Sequence, residues 1–149
     1  MDCYGKIWNI MDVVITNWAL QTYLDLKHRN AFTENDYLKI FRPDTERLKV
    51  FPKDPKFRLS SFWGPATKGN DVSVSDGYKM KWDSVGNGRN ELRLCVAIIG
   101  PKAFLCQAYI KKGNNDVRHC LNLEHHIALI HQGRYVDRVE AVNQKLTQT

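Results

Sequence analysis

Apolar and polar positions change their period several times along this chain of 149 residues, and each change predicts an element. Residues 11–16 (MDVVIT) are short and β-branched, which suits a strand. Asn17 can cap a helix in which Trp18, Leu20, Tyr23, Leu24 and Leu26 recur at roughly helical spacing, up to the basic cluster Lys27-His28-Arg29. The spacing predicts an end near Asn30. Thr33 and Asp36 read as a capping box with Asp in place of Glu, and Tyr37, Leu38, Ile40, Phe41, Leu48 and Val50 give a second helical region its apolar face, interrupted by Pro43. Over residues 51–76, Pro52, Pro55, Gly64, Pro65 and Gly69 break any period, so an irregular connection is expected, packed down locally by Phe57, Leu59, Phe62 and Trp63.

The sharpest pattern starts at Gly77. Residues 77–82 alternate strictly, 83–88 (DSVGNG) have turn chemistry, and 91–98 alternate again, which predicts a β-hairpin. Gly100-Pro101-Lys102 turns the chain into a third strand over 103–112, completing an antiparallel meander. After Gly113-Asn114-Asn115-Asp116, a helix is predicted over 117–132 with Leu121, Ile127 and Ile130 among its apolar positions and Gly133 as its stop. A short helical piece from Tyr135 and a frayed tail at 144–149 follow. The expected fold is α+β: a small antiparallel sheet with N-terminal helices packed on one face and a C-terminal helix, in one domain over 1–149, with 1–10 as an extension of no assigned role.

Parity turns this pattern into geography. If Tyr78, Met80, Trp82, Leu92, Leu94, Val96, Ile98, Phe104, Cys106, Ala108 and Ile110 face the helices, then Lys79, Lys81, Arg93, Cys95, Gln107, Tyr109 and Lys111 share the opposite face. Composition adds charge to that face. Lys and Arg number 22 against 16 Asp and Glu, a net +6, and residues 76–112 supply +4 of it. Cations on a half-exposed sheet are ordinarily just solvated. Three successive strands with cations of one parity and no carboxylate among them instead form a surface suited to a polyanion, and nucleic acid is the leading partner class.

Other features narrow the class. Hydrophobic residues at 43% and charged residues at 26% are ordinary for a globular chain. No apolar run approaches the roughly 20 residues of a membrane span, and no secretory signal pattern opens the chain, so the expected compartment is the cytoplasm. Cys3, Cys95, Cys106 and Cys120 are expected as reduced thiols, with Cys95 and Cys106 of opposite parity and so not paired. His119, Cys120, Glu124, His125, His126 and His131 match no zinc spacing, and neither a metal nor a small-molecule cofactor is expected. Trp18 and Trp82 fall at apolar periodic positions; Trp63 is the least constrained.

The succession of a short strand, two helices, GYKMKW, ELRLCVAII and FLCQAYIKK resembles the RelE/ParE toxin superfamily over residues 11–133. The YafO-type ribosome-dependent mRNA interferases are the nearer branch, through an A-x-x-K strand and a helix with His-x-Ile, here His125-His126-Ile127. The resemblance implies an endoribonuclease toxin that cuts mRNA at the ribosomal A site and a cognate acidic antitoxin. It implies phosphate-binding roles for Lys79 and Lys81, for Arg93 and for Lys111 or Lys112. The family's late catalytic tyrosine has no clear equivalent after Lys112, which leaves Tyr109, His119, His125 or His126 as substitutes.

The residue types suit metal-independent acid–base chemistry. Arg93 is the expected stabiliser of the phosphorane, Lys79 or Lys81 the base, and Lys111, Lys112 or a histidine, His125 foremost, the acid. Arg89, Gln107, Tyr109, His119 and His126 are expected to contact RNA. A ParE-type gyrase toxin and a non-catalytic nucleic-acid-binding module are the alternatives.

Overall fold

The computed structural model describes residues 10–138. Strand β1 (Asp12–Ile15) is followed by helix α1 (Asn17–His28). The cap is Thr16 rather than Asn17. Its fully buried hydroxyl donates to the Leu105 carbonyl at 2.7 Å and accepts from the Ala19 N–H at 3.2 Å, tying β1 into the sheet and starting α1 with one group. The helix ends as expected, with Asn30 left-handed at φ 55 and the Ala31 N–H returning to the Leu26 carbonyl at 3.0 Å.

The Thr33–Asp36 capping box is present. Beyond it the helical turns change pitch: α over Glu34–Asp36, π over Tyr37–Phe41, α over Arg42–Glu46 and 3-10 over Arg47–Val50, together α2 (34–50). Pro43 does not interrupt this helix. The widened turn before it, where the Arg42 N–H reaches the Tyr37 carbonyl, relieves the clash a proline ring makes with the carbonyl four residues back. The buried Asp44 fixes α2 to the rest of the fold. It accepts from Arg47 Nε at 3.0 Å, Lys56 Nζ at 2.8 Å and the Trp82 indole at 2.8 Å.

The connection is more ordered than its prolines and glycines suggest. It contains a 3-10 turn at Pro55–Arg58 and strand β2 (Trp63–Thr67), whose Pro65 is tolerated because β2 lies at the sheet edge. Trp63 is buried and stacks on Tyr78 with ring centroids 5.1 Å apart, so it is among the constrained tryptophans. Strands β3 (Ser73–Val85), β4 (Asn90–Ile99) and β5 (Lys102–Ile110) form the meander. The strand order is β1-β5-β4-β3-β2, with β1 parallel to β5 and the other neighbours antiparallel. Helix α3 (Asn115–His131) follows. The expected tail at 144–149, residues 1–9 of the expected extension and Cys3 lie outside the described residues.

Both faces of the sheet are covered. Met80, Trp82, Leu92, Leu94 and Val96 pack under α1 and α2, while Cys95, Ala97, Phe104 and Cys106 pack under α3 with Cys120, Leu123, Ile127 and Ile130. The parity reading had left the second face open. It also placed Phe104 and Cys106 with α1 and α2, whereas a bulge puts them on the α3 side with Cys95. The register steps from Cys95↔Gln107 to Val96↔Leu105, so Cys106 is an extra residue and the strand's parity reverses there. Cys95, Cys106 and Cys120 are buried free thiols. Leu121, expected on the apolar face of α3, is exposed.

Candidate nucleic-acid interface

Strand register sets the site. Lys81 of β3, Arg93 of β4 and Tyr109 of β5 stand in one row across the sheet, and Lys79, Cys95 and Gln107 form the next. The second row holds two polar residues around a buried thiol. Lys111 leaves the end of β5, where its N–H donates to the Glu91 carbonyl at 2.8 Å. Four of the cations predicted from parity are therefore gathered on one side of the sheet.

The first turn of α3 lies against them. Asp116 accepts a hydrogen bond from the Tyr109 hydroxyl, and its two oxygens lie 3.8 Å from Lys79 Nζ and 3.7 Å from Lys111 Nζ. These two contacts are ion pairs too long for hydrogen bonds. Burial alone would raise the Asp116 carboxyl, but the Tyr109 hydroxyl, Lys79, Lys111 and Arg93 outweigh it and hold it below the usual carboxylate value. Burial and the bond to Asp116 push the Tyr109 hydroxyl far above the usual phenol range, leaving it a donor. The His119 ring stacks on Tyr109 at 3.8 Å and 8°. Burial and nearby Arg118 lower its pKa, so the ring is neutral at pH 7. Gln107 is held by the His119 carbonyl at 3.2 Å and by Asn122 at 3.3 Å.

Lys81 differs from its neighbours. Its amine donates to the Ser60 carbonyl at 3.0 Å, passing beside Gly64, where a Cβ would stand 3.4 Å from it. Burial, then Lys79 and Arg93, hold this amine below the ordinary lysine value. Arg93 is itself only 6% exposed, and its guanidinium is engaged with Asp83 at 2.9 Å and Glu91 at 3.7 Å. That pairing corrects two expectations, that no carboxylate stands among the cations of this parity and that Arg93 grips the phosphorane directly. It lies beneath the surface as a neighbour of Lys81.

The remaining candidates do not join the cluster. Arg89 is exposed on the β3–β4 turn. Lys112 is exposed just before α3, its N–H donating to Asn115 Oδ1 at 3.0 Å. His125 points to solvent from α3. His126, expected at the RNA, is instead 8% exposed and stacked on Trp18 at 4.0 Å and 4°. Burial, reinforced by His125, lowers its pKa to about 4.

Asp116 is the residue the sequence reading missed. It was placed in a turn, but α3 begins two residues earlier than predicted and puts Asp116 in its first turn, where an acidic side chain also complements the helix dipole. Among the described residues no group of three or more His, Cys, Asp or Glu side chains could hold a metal ion, and no helix is long and apolar enough to cross a membrane. No known protein-family model matches the chain, and no curated protein matches it significantly.

Proposed function

We propose that this chain is a RelE-type toxin, a metal-independent endoribonuclease that cuts mRNA at the ribosomal A site in the cytoplasm and is held in check by an acidic antitoxin. One observation carries the reading: Lys79, Lys111 and the Tyr109 hydroxyl converge on a single carboxylate beside a lysine whose pKa is lowered. An anion of phosphate charge suits the place that Asp116 takes. The α+β architecture supports the same reading.

RNA cleavage needs a 2′-hydroxyl deprotonated, the pentavalent phosphorane stabilised and the departing 5′-oxygen protonated. In this reading Lys81, its pKa lowered by burial and by Lys79 and Arg93, is the base that accepts the 2′-proton. Lys79 and the Tyr109 hydroxyl hold the phosphorane oxygens, and Lys111 gives its proton to the 5′-oxygen. Arg93 is a positioning residue that acts through Lys81. The substrate phosphate enters as the first turn of α3 withdraws Asp116.

Neutralisation of the cluster by Asp116, and of Arg93 by Asp83 and Glu91, favours a second reading, a binding module without catalysis. Induction of the wild type and Lys81→Met in cells separates the readings. The enzyme predicts that toxicity and mRNA cleavage vanish together in Lys81→Met. Damage-response induction with intact mRNA identifies a gyrase poison of the ParE type, and wild-type RNA binding without cleavage identifies the module.

A further inference from the structure

On the opposite side of the sheet, between α1, α2 and the strands, lies a cavity of about 380 Å³. Its floor is apolar and nearly inaccessible: Leu26, Phe41, Leu92 and Leu94 are all buried. The cavity is partly open to solvent, so a ligand can enter it without parting the core. Its polar groups belong to side chains that are not buried. Tyr23, Tyr37 and the exposed Arg138 are the polar-tipped residues along its lining, while the Thr45 hydroxyl donates to the Phe41 carbonyl at 2.9 Å.

We infer that this cavity is a binding site for a small amphiphile with an apolar chain and a single carboxylate. The distribution of chemistry selects that class. A wholly apolar ligand leaves the guanidinium unused, and a sugar or nucleotide would bury its hydroxyls against leucine and phenylalanine without partners. A carboxylate at Arg138 gains a charge-assisted hydrogen bond, and Tyr23 and Tyr37 line the same cavity. An apolar cavity of 150 Å³ takes up benzene, so this one matches a ligand of about fifteen non-hydrogen atoms. The site lies across the sheet from the cationic cluster and does not depend on the ribonuclease reading.

The test is calorimetric titration of the full chain with dodecanoate and with 1-dodecanol. The inference expects one molecule of dodecanoate per chain and at least tenfold weaker binding in Arg138→Gln, with little change for the alcohol. Ala19→Leu and Ala108→Leu each fill the cavity from a different wall, so either one that folds is expected to lose dodecanoate while keeping or raising Tm. Three results overturn the inference: no binding by the full chain, binding unchanged in the filled variants, or binding only by a chain ended after Arg138. The last would mean that residues 139–149 compete for the cavity.

Discussion

Asp44 is 3% exposed and is held by three donors: Arg47, Lys56 and the Trp82 indole. Removing the carboxylate leaves the buried Trp82 indole and the Lys56 amine without their acceptor, while Arg47 keeps Asp54. Asp44→Ala is predicted to cost about 1–3 kcal/mol in urea unfolding at pH 7, set mainly by the orphaned indole, and a loss below about 0.5 kcal/mol would show that the network contributes little. Gly86 is constrained by geometry rather than charge. At φ +61, a Cβ would stand 2.4 Å from the Ala31 carbonyl oxygen, where the β3–β4 turn docks on the link between α1 and α2. The Gly86 N–H donates to Asp36 at 2.8 Å and Asn90 Nδ2 to the same Ala31 carbonyl at 2.8 Å. Gly86→Ala is therefore expected to lower stability by about 1–3 kcal/mol, read from the same urea transition.

At the scale of elements, α3 is fastened at both ends by groups that titrate. Near its start Asp116 is held below the usual carboxylate value, and two turns beyond His119 the neutral His126 stacks on Trp18. The folded His126 has a pKa of about 4, below the roughly 6.5 of an unfolded histidine, so the unfolded chain binds the extra proton first. This contribution is complete above about pH 6.5 and is lost as pH falls towards 4, with an upper bound of about 3 kcal/mol. Asp116 adds a loss in the same direction at still lower pH. Wild-type stability is expected to fall between pH 6.5 and 4, and His126→Leu to flatten that slope, as measured by urea midpoints across the range. An unchanged slope would place the acid sensitivity elsewhere.

The elements also show what sequence makes legible. Strict alternation marked residues 77–82 of β3 and 91–98 of β4, and capping chemistry marked the start of α2, because those signals are local. β2 was hidden because an edge strand tolerates proline and gains its order from pairing with β3. The bulge at Cys106 was hidden because one inserted residue leaves both halves of β5 equally apolar while exchanging their faces. Lys79, Lys81, Tyr109 and Lys111 were found together because parity brings them together. Asp116 was not, because its place over the sheet comes from how α3 docks, a tertiary fact.

At the scale of the whole molecule, the sheet separates two chemistries. One face holds a positive cluster in which Asp116 pairs with Lys79 and Lys111 and Asp83 and Glu91 pair with Arg93, and the other an apolar cavity. In the proposed reading the net charge of +6 favours encounter with polyanions, and the cluster takes a phosphate when Asp116 gives way. Asp116→Asn keeps the shape and removes the competing charge. The most direct measurement is the rate at which purified protein cuts mRNA on programmed ribosomes, with product ends mapped, for the wild type, Asp116→Asn and Lys81→Met. The account predicts 2′,3′-cyclic phosphate and 5′-hydroxyl ends, a rate in Asp116→Asn several-fold above the wild type, and a loss of at least a hundredfold in folded Lys81→Met. Cleavage by Lys81→Met at the wild-type rate, or no cleavage by any of the three, would contradict it.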